Sequence, residues 1–284
     1  MNKLTKLGLS AVAGSLVASS AYAGALDVSG SAKMTYFAND ADETTGNSFK
    51  MAKGITFSGS GDVNGMTMNY SYTMTNAAFS SQVVSLDMGD AGTFGISNSG
   101  GVAGMIAYQS VIPNSGEQVW DDMNSNDNGI TSFNNLSETN SLFYKNSFAG
   151  FSVNVAYTDE GQHGASDEHG VVTFDMMDGL QVGIGGGEEG TTMDMETFFV
   201  KYTMGNVTAA YQRTNLDFTA AGTNDEESDS IGIGFAVNDD LSISLGMTEV
   251  DMGAGNNDEE SSGVSASYTM GGMSITAIAN NQDN

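Results

Sequence analysis

The 284-residue chain contains no cysteine, so no disulfide can brace it. Proline is almost missing as well: Pro113 stands alone against 37 glycines. Basic residues are scarce, with 8 Lys and Arg against 35 Asp and Glu and a formal charge of −27. Such a charge makes nucleic acid and anionic membrane surfaces poor partners. No apolar run reaches the roughly 20 residues that carry a helix across a bilayer. Any residence in a membrane must therefore be through strands. The two histidines, His163 and His169, share one acidic segment; without cysteine and with irregular spacing they do not make a zinc pattern.

The N-terminus has the form of an export signal. Lys3 and Lys6 precede an apolar run from Leu7 to Ala18, and Ala21-Tyr22-Ala23 follows as an A-x-A cleavage site. Residues 1–23 are thus predicted to be a signal peptide, and 24–284 a single β domain. Cleavage removes two of the basic residues and no acid, which moves the formal charge from −27 to −29.

What the chain has in abundance is alternation. In "MTMNYSYTMT", Met66, Met68, Tyr70, Tyr72 and Met74 share one parity, and Thr67, Asn69, Ser71, Thr73 and Thr75 share the other. Successive strand side chains point to opposite faces, so one face is apolar and the other is polar and uncharged. Fourteen further segments repeat the pattern, among them Leu26 to Tyr36, Phe151 to Tyr157, Phe198 to Met204, Ile231 to Val237 and Leu241 to Met247. With their polar flanks, most reach the roughly nine to eleven residues of a tilted transmembrane strand.

The connections alternate too. Tight turns such as "GDVNGM", "MMDGL", "MGNV" and "MGGM" follow every second strand, as short hairpins require. Most of the others are followed by longer acidic segments, for example "TDEGQHGASDEH", "GGGEEGTTMDME" and "DFTAAGTNDEESDS". Short turns at one end and long loops at the other suit an outer-membrane barrel; a soluble all-β protein is the alternative. A barrel of so many strands is too wide for side chains to fill. The apolar faces are therefore read as outward, toward lipid, with the polar faces toward water.

On these grounds the mature chain resembles the Gram-negative porins, in particular the general-diffusion porins of alphaproteobacterial type. The signal peptide, the opening "GALDVSGSAKMTYFAND", the hairpin alternation and one long loop carry the resemblance. It implies an outer-membrane location, a sixteen-stranded antiparallel barrel, a homotrimer, and a third external loop folded into the lumen. The sequence supplies fifteen candidate strands and stops at "MSITAIANNQDN", where such a porin adds another loop and a last strand ending in an aromatic residue. The simplest reading is a chain truncated at its C-terminus.

The exceptional loop spans about Asn98 to Ser137, and segments of that length are usually functional. It carries Glu117, Asp121, Asp122 and Asp127, with Glu138 at its end, beside the only tryptophan, Trp120. These carboxylates are read as the acidic side of a pore constriction; an ordinary solvated loop across the mouth is the competing reading. Lys33, Lys50, Lys145 and Lys201 all fall on the polar parity and are read as the basic wall opposite. Acids facing lysines across a narrow channel set up a transverse field. Lys53 and Arg213 fall on the apolar parity, where a cation is tolerated near the interface, so rim positions or a local bulge are expected. The runs Asp225 to Glu227 with Asp229, and Asp258 to Glu260, lack calcium-loop spacing. They are read as solvated charge, with no cofactor. Loose divalent-cation binding that bridges to anionic outer-leaflet lipid is the alternative.

Function then reads as passive diffusion of small hydrophilic solutes and ions, weakly cation-preferring. A surface adhesin or a solute-selective barrel with a restricted lumen is the alternative. A membrane enzyme is disfavoured, because no Ser–His arrangement with strand support is visible. N-terminal sequencing of protein recovered from the cell envelope should return Gly24 as its first residue; recovery of Met1 would refute the cleavage assignment.

Overall fold

The structure is a computed structural model, and it describes residues 14–17, 26–36, 49–109, 111–116, 118–119, 136–161, 166–220, 223–253 and 257–283. They form one sixteen-stranded sheet in which every strand pairs with its sequence neighbours. All ladders among the described residues are antiparallel, as the hairpin connections dictate. The strands are β1 (Gly14–Val17), β2 (Leu26–Tyr36), β3 (Phe49–Val63), β4 (Met66–Thr75), β5 (Ala78–Asp87), β6 (Thr93–Asn98), β7 (Ser141–Phe148) and β8 (Phe151–Thr158). They continue with β9 (Asp167–Met177), β10 (Leu180–Glu189), β11 (Met193–Met204), β12 (Val207–Phe218), β13 (Glu226–Ala236), β14 (Leu241–Asp251), β15 (Glu259–Met270) and β16 (Met273–Asp283). β2 to β16 match the fifteen alternating segments one for one, and β1 lies in the segment assigned to the signal peptide. Among the described residues no ladder joins β1 to β16. Nor is any described helix long and apolar enough to cross a membrane.

The alternation fixes two faces. On the convex face stand exposed apolar side chains, for example Ile231, Ile233 and Phe235 of β13, and Ile243, Leu245 and Met247 of β14. Their neighbours in sequence point to the concave side, and on β11 and β12 most of these are buried: Phe199 at 0 %, Leu216 at 0 %, Thr197 at 2 %. The core therefore lies inside the curve of the sheet, between the wall and a loop that enters it. Outward aromatics collect at both ends. Phe151 stacks on Phe174 at 4.4 Å beside the tight-turn end, and Tyr36 meets Phe49 at 5.0 Å at the opposite end, the two girdles of a membrane barrel.

Several acidic segments that the sequence suggests are loops prove to be strand. β10 runs on to Glu189 and β11 begins at Met193, so only residues 190–192 connect them. Glu226, Glu227 and Asp229 lie in β13, and Glu259 and Glu260 in β15. The pleat divides them between the two faces. Glu226 and Glu259 turn inward and are buried, whereas Glu227, Asp229 and Glu260 turn outward.

Of the two outward cations, Arg213 occupies the expected rim, whereas Lys53 lies between Met51 and Ile55 on β3, below the Tyr36–Phe49 pair and level with the end of β4. Lys53 is bracketed by Asn76 of the β4–β5 turn, whose Oδ1 accepts the Lys53 backbone N–H at 3.1 Å. Arg213 donates to Asp229 through Nε at 2.9 Å and Nη2 at 2.5 Å, and Nη2 lies 3.1 Å from Glu227. Its charge is thus matched by carboxylates of the adjacent strand. Deeper in the apolar band a cation has no such partner. Ile233→Arg, facing lipid on β13, should cost about 2–4 kcal/mol, read as a lowered midpoint in equilibrium unfolding from detergent or lipid. An unchanged midpoint would place this face away from lipid.

Candidate functional site

Between β6 and β7, the described residues 99–109, 111–116, 118–119 and 136–140 turn inward, and the segment is fastened at its root. Glu138 is 8 % exposed, and its carboxylate accepts from Gly101 N–H at 2.6 Å, Val102 N–H at 2.9 Å, Ala103 N–H at 3.2 Å and the Ser97 hydroxyl at 2.7 Å. A carboxylate taking several amide protons is a strong, charge-assisted clasp. In this structure Glu138 is held by the loop's own backbone rather than presented to an aqueous constriction. Inward residues of β8 and β9 continue the fastening. Asn154 accepts from Gly104 N–H and donates to Val102 C=O, both at 3.0 Å. His169 Nδ1 accepts from Met105 N–H at 3.0 Å. Gly104 has a φ of +51°, and a side chain there would strike the His169 ring, so glycine meets both needs. Asp167 takes the Ser137 N–H at 2.5 Å where the loop returns.

Beyond this root the loop crosses the concave face strand by strand. A 3-10 turn, Gly104–Tyr108, lays Tyr108 against Phe199 of β11 with ring centroids 5.6 Å apart. Gln212 of β12 donates to Tyr108 C=O at 3.2 Å. Ser115 N–H is shared between the hydroxyls of Ser244 on β14 and Ser265 on β15, at 2.8 and 3.0 Å. Gly116 lies against Thr276 and Ile278 of β16. A residue between β6 and β7 that touches β16 shows how far the sheet has curled around the loop.

The concave face is thereby divided. Inward residues of β11 to β13 are largely buried under the loop, whereas none of the inward residues on β2, β3 and β4 is buried. That open half is lined by hydroxyls and amides, including Ser29, Ser31, Thr56, Ser58 and Asn69. The four wall lysines do not form one row. Lys33 and Lys50 are diagonal neighbours, since Thr35 pairs with Lys50 and Lys33 with Ala52, and both are exposed on the open half. Lys145 stands on β7 opposite Thr93 and Asn154. Lys201, half-buried, stands on β11 opposite Ala210. Glu117, Asp121, Asp122, Asp127, Trp120 and His163 lie outside the described residues. Sequence reasoning overlooked Asn154, Gln212 and the inward serines as loop ligands. Their only signal was a side chain capable of hydrogen bonding on the polar parity, which every strand offers.

With this geometry in view, comparison with known proteins is consistent. A family model described as Gram-negative porin matches residues 8–284. The chain belongs to the Gram-negative porin family. No curated protein matches its sequence. Among solved structures, a porin superposes with a TM-score of 0.64 at 16% identity, covering 91% of this chain and 95% of its own. A triple mutant of Rhodopseudomonas blastica porin gives a TM-score of 0.61 at 10% identity, covering 90% and 99%. An anion-selective porin from Comamonas acidovorans gives 0.59 at 15% identity, covering 82% and 81%. Fold and family together make the chain an outer-membrane channel protein.

Glu138→Ala strands three amide protons and a hydroxyl at the loop root, and should lower stability by about 3 kcal/mol. Glu138→Gln, which keeps an acceptor oxygen, should lose less. Equilibrium unfolding reads both; a wild-type midpoint for Glu138→Ala would show that other contacts suffice to hold the root.

Proposed function

We propose that the protein forms a water-filled pore for passive diffusion of small hydrophilic solutes and ions, with a weak preference for cations, and that it assembles as a homotrimer after removal of its signal peptide. The observation that carries the pore is the divided concave face: a fastened loop on the β8–β16 side and an uncovered polar wall on β2 to β4. A polar wall accepts hydrated solutes, and among the described residues of β2 to β4 no inward aromatic side chain offers a stacking surface for a dedicated sugar path. Phe143 and Phe199, inward aromatics, are buried beneath the loop at 2 % and 0 % exposure.

The preference for cations rests on charge. Acids outnumber bases 35 to 8 in the whole chain. Many of the acids stand near the loop ends of β9 to β15, where their summed field raises the local concentration of cations at the mouth. Glu117, Asp121, Asp122 and Asp127 form the acidic side of the constriction in this reading. It is supported by Val119 and Leu136, which flank the stretch with the three aspartates and are both buried on the concave side. Lys33 and Lys50 supply the basic side across the open half, while Lys145 and Lys201 stand on other parts of the wall.

Single-channel recording in a planar bilayer under a potassium chloride gradient tests this. Open steps in groups of three, with a cation-side reversal potential, are the expected result. Replacing Lys33 and Lys50 with Gln should move that potential further toward the cation side, and Asp121→Asn with Asp122→Asn should move it back. A folded barrel without conductance would instead favour a surface-binding protein with a closed lumen.

A further inference from the structure

The wall beneath the loop is shaped to receive it. Following the ladder register across β12, β13, β14 and β15, Ala210 pairs with Gly232, Gly232 with Gly246, and Gly246 with Gly263. All four face inward at one height, so a row of bare backbone runs across three strands and ends on the small side chain of Ala210. Glycine inside a strand weakens it and marks a place where another backbone comes close. Here the visitor is the loop. A Cβ on Gly232 would stand 2.5 Å from Ile112 Cγ2, and one on Gly246 would stand 3.2 Å from Val119 Cγ1. One step toward the tight-turn end, Gly234 would bring its Cβ to 3.0 Å from Pro113 Cβ.

Hydroxyls border this row on both sides. Ser244 and Ser265, paired with each other in the lower row, hold Ser115 N–H. Ser261, in the row above, donates to Val119 C=O at 2.5 Å. The arrangement is a trough: a floor of glycine and alanine, with polar rails that grip the loop backbone. Three consecutive strands having glycine at matched register on the polar parity has no use in a wall that faces only water, where serine or threonine serves β structure better.

We infer that this trough sets the width of the pore. Resting on the channel reading above, it assigns Gly232 and Gly246 as positioning residues that recess the loop and so determine the cut-off for solute size. A side chain added to the floor pushes Ile112 and Val119 toward the lumen, because a Cβ at Gly232 or Gly246 occupies the space they now fill, and the wall-to-loop hydrogen bonds of Ser115 and Val119 must lengthen to allow it. The aperture is thus tuned from behind the loop as well as by the residues at its tip.

The test is a size series at the floor: Gly232→Ala and Gly232→Val, and the same changes at Gly246. Gly61→Val serves as the control, since a Cβ at that position on β3 meets nothing within 4 Å. Folding is checked for each by heat-modifiable migration, and single-channel conductance and the size cut-off for uncharged polyethylene glycols are then measured. Conductance should fall in the order Gly, Ala, Val, to about half in the valine variants, and the cut-off should shrink in parallel; Gly61→Val should match wild type. Ile112→Ala combined with Gly232→Ala should restore the wild-type values, and this pair keeps the test open if the valine variants do not fold. Wild-type conductance in folded floor variants, or no rescue by Ile112→Ala, would overturn the trough. A folded wild-type barrel that does not conduct would overturn the channel reading itself.

Discussion

Everything in this molecule follows from the pleat. A strand places residue i on one side of the wall and residue i+1 on the other, with no intermediate choice. Here the two sides are different solvents. Lipid accepts no unpaired polar group, so the convex face carries Ile, Phe, Met and Tyr while the backbone satisfies itself in the ladders. The concave face must accommodate water on one half and a protein loop on the other. Because register locks both faces together, a slip of one residue would exchange them, putting Thr and Ser into lipid. The alternation is therefore both the folding code and the membrane code.

A loop inside a barrel poses a second problem, since its backbone groups leave bulk water and must find partners. The structure answers with three kinds of contact. A buried carboxylate, Glu138, collects the amide protons at the root. Neutral side chains on the wall, Asn154, His169 and Gln212, meet individual backbone groups farther along. An apolar layer that includes Met105, Ile112, Met193, Met195 and Phe199 excludes water between them. Buried polar groups and apolar area act together: the first specify where the loop lies, and the second supplies most of the stabilisation. The fully buried methionines suit this layer, because an unbranched thioether fills irregular gaps between a curved wall and an irregular loop.

Much of the fold was legible in the sequence because the membrane enforces regularity. Every strand from β2 to β16 carried the period-two signal, and the turn chemistry marked the tight hairpins. Legibility ended where that enforcement ends. Above the apolar band a strand no longer needs outward hydrophobes, so Asp194 and Glu227 read as loop although the ladders continue through them. Glu138 could be seen as an acid on a functional loop, but not as one that folds back on its own root, since that contact joins residues 35 to 41 apart. The wall glycines were hidden for another reason. On a polar parity glycine looks like any small residue, and only the register across β12 to β15 shows that they line up.

The acids at the loop ends also fix the height of the barrel. On β13 the outward series is apolar from Phe235 to Ile231 and turns acidic at Asp229; on β14 it is apolar to Met247 and turns acidic at Glu249. Glu249 faces Asp229, which Arg213 compensates, and Glu260, which it meets as a like charge, and like charges directly opposite one another oppose pairing. In water such a pair costs about 1 kcal/mol at close range, whereas in a low-dielectric layer it costs many times that. The sheet can therefore carry these pairs only where they stay hydrated, and they define the upper edge of the lipid layer. Gly232 lies between Ile231 and Ile233, and Gly246 between Leu245 and Met247, within the apolar band just below that edge. The loop seated on them consequently narrows the barrel inside the membrane rather than at its mouth. There the surrounding hydrocarbon screens little, so any charge on the loop or the facing wall at that height acts with little attenuation.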